Sequence, residues 1–141
     1  MLVIQKDDWS YCSCTISDDD IESYAKTTGD RNPIHFGDNR IAHGGLILGK
    51  LSAAIWQKFG NGTVGKSISA KIQRTIKPGE EFFIALSPPK PTDGSSQTAQ
   101  ATVEFTIYKS HKGHQKLVLE GVTTVIIPEN SVSLPLIAAS A

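Results

Sequence analysis

Gly44-Gly45-Leu46-Ile47-Leu48-Gly49-Lys50-Leu51-Ser52-Ala53-Ala54-Ile55-Trp56-Gln57-Lys58-Phe59 is the most hydrophobic stretch of the chain, and Gly60-Asn61-Gly62 ends it. Leu48, Leu51, Ile55 and Phe59 recur at helical spacing, with Ala53 and Ala54 between them. Lys50, Gln57 and Lys58 are its strongly polar residues, so the pattern predicts a helix over 46–59 that is buried on most of its surface. Downstream the period changes to two. Ile68, Ala70, Ile72 and Ile76 alternate with Ser69, Lys71, Gln73 and Thr75, and Lys77-Pro78-Gly79-Glu80 turns the chain into a second strand, 81–86. Strict alternation of Ala99, Ala101, Val103, Phe105 and Ile107 marks a third strand, and 117–127 a fourth.

Upstream, the aromatic and β-branched run 9–16 reads as a strand. Ser17 then offers a capping oxygen, and Asp18, Asp19 and Asp20 fall where the helix dipole favours negative charge. A short helix to about Lys26 would bury Ile21, Tyr24 and Ala25, with Gly29 as its C-cap. The element order is strand, short helix, loop, long helix and four antiparallel strands. It predicts a single α+β domain in which one antiparallel sheet covers one long central helix. Its core spans about 10–127, and 128–141 form a loosely ordered tail. One helix cannot cover both sheet faces and the edges, so a homodimer or higher homo-oligomer is expected.

Composition narrows the functions. Fourteen basic and fourteen acidic residues cancel, which supplies no field for nucleic acid or an anionic membrane. With 39% hydrophobic residues the 141-residue chain has material for one core. Apolar runs fall short of the roughly 20 residues of a membrane span, and Met1-Leu2-Val3-Ile4 passes straight into Gln5-Lys6-Asp7-Asp8 without a secretory h-region, so a cytoplasmic setting is expected. Cys12 and Cys14 share one strand face and read as buried thiols. His111 and His114 fit a solvated hairpin tip better than a metal site, and neither a metal cluster nor a dinucleotide-type glycine pattern points to a cofactor.

The chemistry concentrates in the Asn-, Pro-, Gly- and Asp-rich loop 30–39. Asp30 and His35 stand five positions apart, close enough to converge on one small ligand, and Pro33 restricts the chain between them. A carboxylate and an imidazole make an acid–base pair near neutral pH, although Asp-x-Asn-Pro is also ordinary turn chemistry. Gly44 and Gly45 would point N–H groups from a buried helix N-terminus, where they could stabilise a developing oxyanion or simply form a tight turn.

The strings Thr28-Gly29-Asp30-x-Asn32-Pro33-Ile34-His35 and Ile41-Ala42-His43-Gly44 resemble the signature of the MaoC-like (R)-specific enoyl-CoA hydratase family. The element order over about 10–127 is similar to that family's hot-dog fold, in which an antiparallel sheet wraps a long central helix. The resemblance implies hydration of an enoyl thioester, or dehydration of a 3-hydroxyacyl thioester, in fatty acid metabolism. It makes Asp30 and His35 the catalytic pair and the Gly44 N–H the oxyanion donor, with Gly45 beside it. Ser52, eight positions after Gly44, matches a family serine that helps hold the site, Asn32 braces the loop, and His43 has a structural part. The substrate would be an acyl-CoA or acyl-carrier-protein thioester, with coenzyme A or pantetheine entering as part of it and no separate cofactor.

Lys66, Lys71, Arg74 and Lys77 could meet the phosphates of that handle or form a solvated strand face. Alternation places Arg74 on the otherwise apolar face of Ile68, Ala70, Ile72 and Ile76. One departure stands out. The segment 36–41, between His35 and Ala42, is shorter than the family's, which shapes the acyl tunnel, so the pocket must differ. A hot-dog thioesterase and a non-catalytic acyl-binding domain therefore remain alternatives, since one fold hosts several activities.

Overall fold

A computed structural model describes residues 8–92 and 99–128. The expected tail beyond Pro128, residues 1–7 and residues 93–98 lie outside the described residues. The elements are β1 (Ser10–Cys14), α1 (Asp18–Thr28), a 3₁₀ turn (Pro33–His35), α2 (Gly44–Phe59), β2 (Val64–Ile72), β3 (Phe82–Leu86), β4 (Lys90–Pro91), β5 (Ala99–His111) and β6 (His114–Ile127). All strand pairs are antiparallel. Their order is β1-β3-β5-β6-β2, with the two-residue β4 paired to β5.

Local chemistry explains α1. Ser17 accepts a hydrogen bond from the Asp20 N–H at 3.1 Å while the Asp20 carboxylate accepts one from the Ser17 N–H at 2.9 Å, a reciprocal capping box. Gly29 ends the helix in the left-handed region at φ 81°, which costs glycine no Cβ clash. The β5–β6 hairpin turns in just Lys112 and Gly113, both at positive φ. His111 and His114 pair across it, exposed as expected.

The core is the α2 face of Ile47, Leu51, Ala54, Ile55 and Phe59 packed on the concave sheet. Phe82, Ile84 and Leu86 of β3, Val103, Phe105 and Ile107 of β5, and Leu119 and Val125 of β6 line that sheet. Cys12 and Cys14 are free and buried there. The neighbouring Cys14 side chain and burial hold the Cys12 thiol well above the usual thiol range.

Two expectations are corrected. First, α2 is not buried on most of its surface. Gly45, Gly49, Ser52 and Trp56, one residue per turn, form an exposed stripe, with Trp56 43% accessible. Second, the strand after α2 stops at Ile72 instead of running to Ile76, and every residue of β2 is exposed. Val64, Ile68 and Ile72 keep 54, 48 and 56% of their surface in solvent. The alternation is genuine, since Ile68 lies opposite buried Thr123 and Ile72 opposite buried Leu119. The missing part is cover, because β2 is an edge strand beyond the reach of the single long helix. Ile76 is fully buried, but in the segment that follows the strand.

Candidate active site

The loop after α1 is built from short-range bonds that its sequence dictates. Thr28 donates its hydroxyl hydrogen to the Tyr24 carbonyl at 2.7 Å and accepts from the Asp30 N–H at 3.2 Å. Asp30 Oδ1 then accepts the Asn32 N–H at 3.2 Å, and Asn32 Oδ1 accepts the Ile34 N–H at 3.3 Å and caps the 3₁₀ turn. Asn32 thus braces the loop. The short 36–41 segment closes where the Ile41 N–H meets the Ile34 carbonyl at 3.1 Å, and Arg40 ties it to Asp18 of α1 at 3.3 Å.

These turns bring His35 and Asp30 together, with Nε2 and Oδ2 3.9 Å apart. The imidazole side chain is 7% accessible and the carboxylate 50%, so the pair sits at the floor and the rim of one site. His35 Nδ1 lies 2.8 Å from the Ile41 carbonyl oxygen, which only accepts, so Nδ1 carries the hydrogen. The lone pair of neutral His35 is then on Nε2, facing Asp30. A water bonded to both groups would sit about 2.8 Å from each, a span that the 3.9 Å gap permits.

His43 supports both partners. Its ring stacks on His35 with centroids 3.6 Å apart, and its Nε2 donates to the Asp30 backbone carbonyl at 3.1 Å. The ring is almost fully buried, and its Nδ1 has no hydrogen-bond partner among the described residues. Asp30, His35 and His43 bring their ligand-type atoms within 4.8 Å of one another. Two rings stacked only 24° from parallel direct their lone pairs along separate planes and not to a common point, so this set is poorly shaped for a metal ion.

His43 is also the residue before α2, which places the site at that helix's N-terminus. The first intrahelical bonds run from the Leu46 and Ile47 N–H groups to the His43 carbonyl, so the Gly44 and Gly45 N–H groups precede the ladder. Ile72 Cδ1 lies 3.2 Å from where a Gly44 side chain would start, and the Tyr24 hydroxyl occupies the place of a Gly45 side chain. Tyr24 also packs its ring on His43, with centroids 4.6 Å apart. Gly45→Ala is therefore expected to push Tyr24 off His43 and lower turnover several-fold. Adding Tyr24→Phe, which removes the overlapping oxygen, should recover part of the loss, as kcat of the single and double variants would report.

Two sequence-based candidates fall elsewhere. Ser52 is exposed, and its hydroxyl makes no hydrogen bond among the described residues. It lines a cleft of about 360 Å³ between α2 and β2, together with Leu48, Leu51, Ile55, Trp56 and Ile68. Arg74 is not on the apolar strand face. It follows the end of β2 and donates from Nη1 to the Leu117 carbonyl at 2.7 Å. Sequence reasoning missed Tyr24 and Ile72 as neighbours of the helix N-terminus, because both contacts join elements far apart in the chain and leave no local signal.

No protein-family model matches the chain, and no curated protein matches it. Solved structures do. The R-hydratase PhaJ1 from Pseudomonas aeruginosa, in its unliganded form, is similar with a TM-score of 0.74 and 24% identity, over 95% of this chain and 88% of that one. An (R)-hydratase from A. caviae involved in PHA biosynthesis gives a TM-score of 0.70 at 20% identity, over 85% of this chain and 94% of that one. An acyl-CoA hydrolase variant from Staphylococcus aureus gives 0.57 at 15% identity, over 89% of this chain and 70% of that one. The six-stranded antiparallel sheet around α2 is thus the hot-dog fold, an architecture that this chain shares with hydratases and with a hydrolase alike.

Proposed function

We propose that the chain is an enoyl-thioester hydratase, or in reverse a 3-hydroxyacyl-thioester dehydratase, with Asp30 and His35 as its acid–base pair. The observation that carries this reading is the 3.9 Å approach of Asp30 Oδ2 to His35 Nε2 beside the α2 N-terminus. One water fits between the two groups. As its oxygen bonds to Cβ of the enoyl group, one member of the pair takes its proton and a proton is delivered to Cα. Charge developing on the thioester oxygen meets the Gly44 N–H, with Gly45 next to it, at the positive end of the helix dipole. The similarity of two R-hydratases supports the assignment, and we extend the (R) product for which they are named to this chain as well.

The acyl chain would lie in the cleft between α2 and β2, on Leu48, Leu51, Ile55 and Ile68, with Ser52 on its wall. A second copy pairing along the exposed edge of β2 would cover Val64, Ile68 and Ile72 and complete that wall, so we take the working form to be a homodimer. The test is hydration of crotonyl-CoA, followed as loss of enoyl absorbance. Asp30→Asn keeps the shape and the bond from the Asn32 N–H but removes the charge. It is expected to lower kcat by roughly 10²–10⁴-fold with an unchanged far-ultraviolet spectrum, and an unaltered rate would refute the assignment.

A further inference from the structure

A second polar cleft, of about 430 Å³, opens where the chain leaves β2, and Gln73, Arg74, Thr75, Lys109, His111 and Lys116 line it. Local sequence does not predict this grouping, because the residues come from the segment after β2 and from both strands of the β5–β6 hairpin. Lys109 and Lys116 are directly opposite each other in the register, an arrangement that repels unless a negative charge compensates it. Lys109 is compensated. Its Nζ donates to Glu80 Oε1 at 3.1 Å and to the Thr75 carbonyl at 2.6 Å. The Lys116 ammonium has no hydrogen bond or ion pair among the described residues. The Arg74 guanidinium is anchored on the Leu117 carbonyl, which leaves its charge unneutralised.

The cleft therefore keeps the charges of Arg74 and Lys116 after Glu80 has offset Lys109, on a chain whose overall charge is zero. Such a grouping suits a phosphate. Its place matters as much as its charge. The Gln73 and Arg74 N–H groups are fixed on the Val118 carbonyl at 2.8 and 3.2 Å. On one side of this segment Ile72 Cδ1 lies 3.2 Å from where a Cβ on Gly44 would sit, and on the other the Ile76 carbonyl accepts the Ala42 N–H at 2.7 Å. The cleft wall and the reacting end of α2 are thus two sides of one pinned segment.

We propose that this cleft holds the phosphate end of a phosphopantetheine-type thioester handle, read by Lys116 and Arg74 with His111 and Thr75 at its edge. The proposal rests on the enoyl-thioester reading of the active site and adds the feature of the substrate that is recognised. The phosphate could be the one that coenzyme A shares with a carrier-bound arm or one of the nucleotide phosphates of coenzyme A.

Calorimetric titration with coenzyme A, 4′-phosphopantetheine and pantetheine tests it without requiring turnover. Lys116→Glu and Arg74→Ala should each weaken coenzyme A by about tenfold or more, the worth of one charge-assisted contact. Lys116→Arg should restore binding, and pantetheine should not distinguish the variants. Equal weakening of 4′-phosphopantetheine would locate the shared phosphate in the cleft, and weakening of coenzyme A alone would locate a nucleotide phosphate there. Wild-type protein that binds neither phosphorylated ligand, or a Lys116→Glu variant that binds both as wild type does, overturns the proposal. Localised coenzyme A binding without crotonyl-CoA hydration would instead sink the hydratase reading and leave the cleft in place.

Discussion

His35→Ala is expected to lower kcat for crotonyl-CoA hydration by roughly 10²–10⁴-fold, the range spanned by a positioned general acid or base. The geometry gives the reason. The Ile41 carbonyl fixes the hydrogen of His35 on Nδ1, so Nε2 presents a lone pair toward Asp30 in the neutral ring. Alanine removes that atom and also the lower face of the stack on His43, whose centroid lies 3.6 Å away. Some stability is lost with it, on the order of 1–3 kcal/mol for an emptied buried position. His35→Gln separates the two effects, since glutamine fills more of the space but cannot exchange a proton near neutral pH. Glutamine should recover stability in a urea titration and leave turnover low. Recovery of turnover along with stability would mean that His35 acts by packing alone.

Gly121→Ala carries the largest expected effect on the fold. Gly121 of β6 lies between Ala70 of β2 and Phe105 of β5 in the register. A Cβ there would run into the Ser69 carbonyl oxygen of β2 and approach Phe105 Cζ at 2.8 Å and Ala70 Cα at 2.9 Å. Two of these three neighbours are backbone, and the buried Phe105 ring has little room to yield. The substitution must therefore spread β2 from β6, at a cost of about 3 kcal/mol or more. A urea titration should show the midpoint fall accordingly. Because β2 forms one wall of the cleft beside α2, activity should fall as well; a stability change below about 0.5 kcal/mol, the ordinary range of a surface substitution, would show that the strands do not approach as closely as described.

The parts of the molecule legible in the sequence are those set by near neighbours in the chain. Ser17 and the three aspartates marked the start of α1, and Asp30 and His35 could be paired because only four residues, one of them a proline, separate them and leave the loop little freedom. Alternation identified which residues of β2 share a face. It could not say that the face would be bare, since cover depends on how far a single helix reaches across the sheet. The early end of β2 had the same origin. Gln73 and Arg74 leave the ladder to bond the Val118 carbonyl, which moves Arg74 off the strand face and beside Leu117.

Contacts between distant segments were the least legible. Nothing near Tyr24 in the chain announces that its hydroxyl meets Gly45, and nothing near Lys116 announces that it joins Arg74 across a cleft. The short 36–41 segment, which suggested an altered pocket, closes on Ile34 and is held by Arg40 to α1. Its shortness leaves Asp30 and His35 side by side.

In the proposed reaction this site adds water across an enoyl double bond and leaves the thioester intact. Incubation with crotonyl-CoA, with enoyl absorbance and free thiol followed in the same sample, tests that directly. Loss of enoyl absorbance without thiol release is expected, at a rate that collapses in Asp30→Asn. Thiol release in step with substrate consumption would contradict it and make the protein a thioesterase.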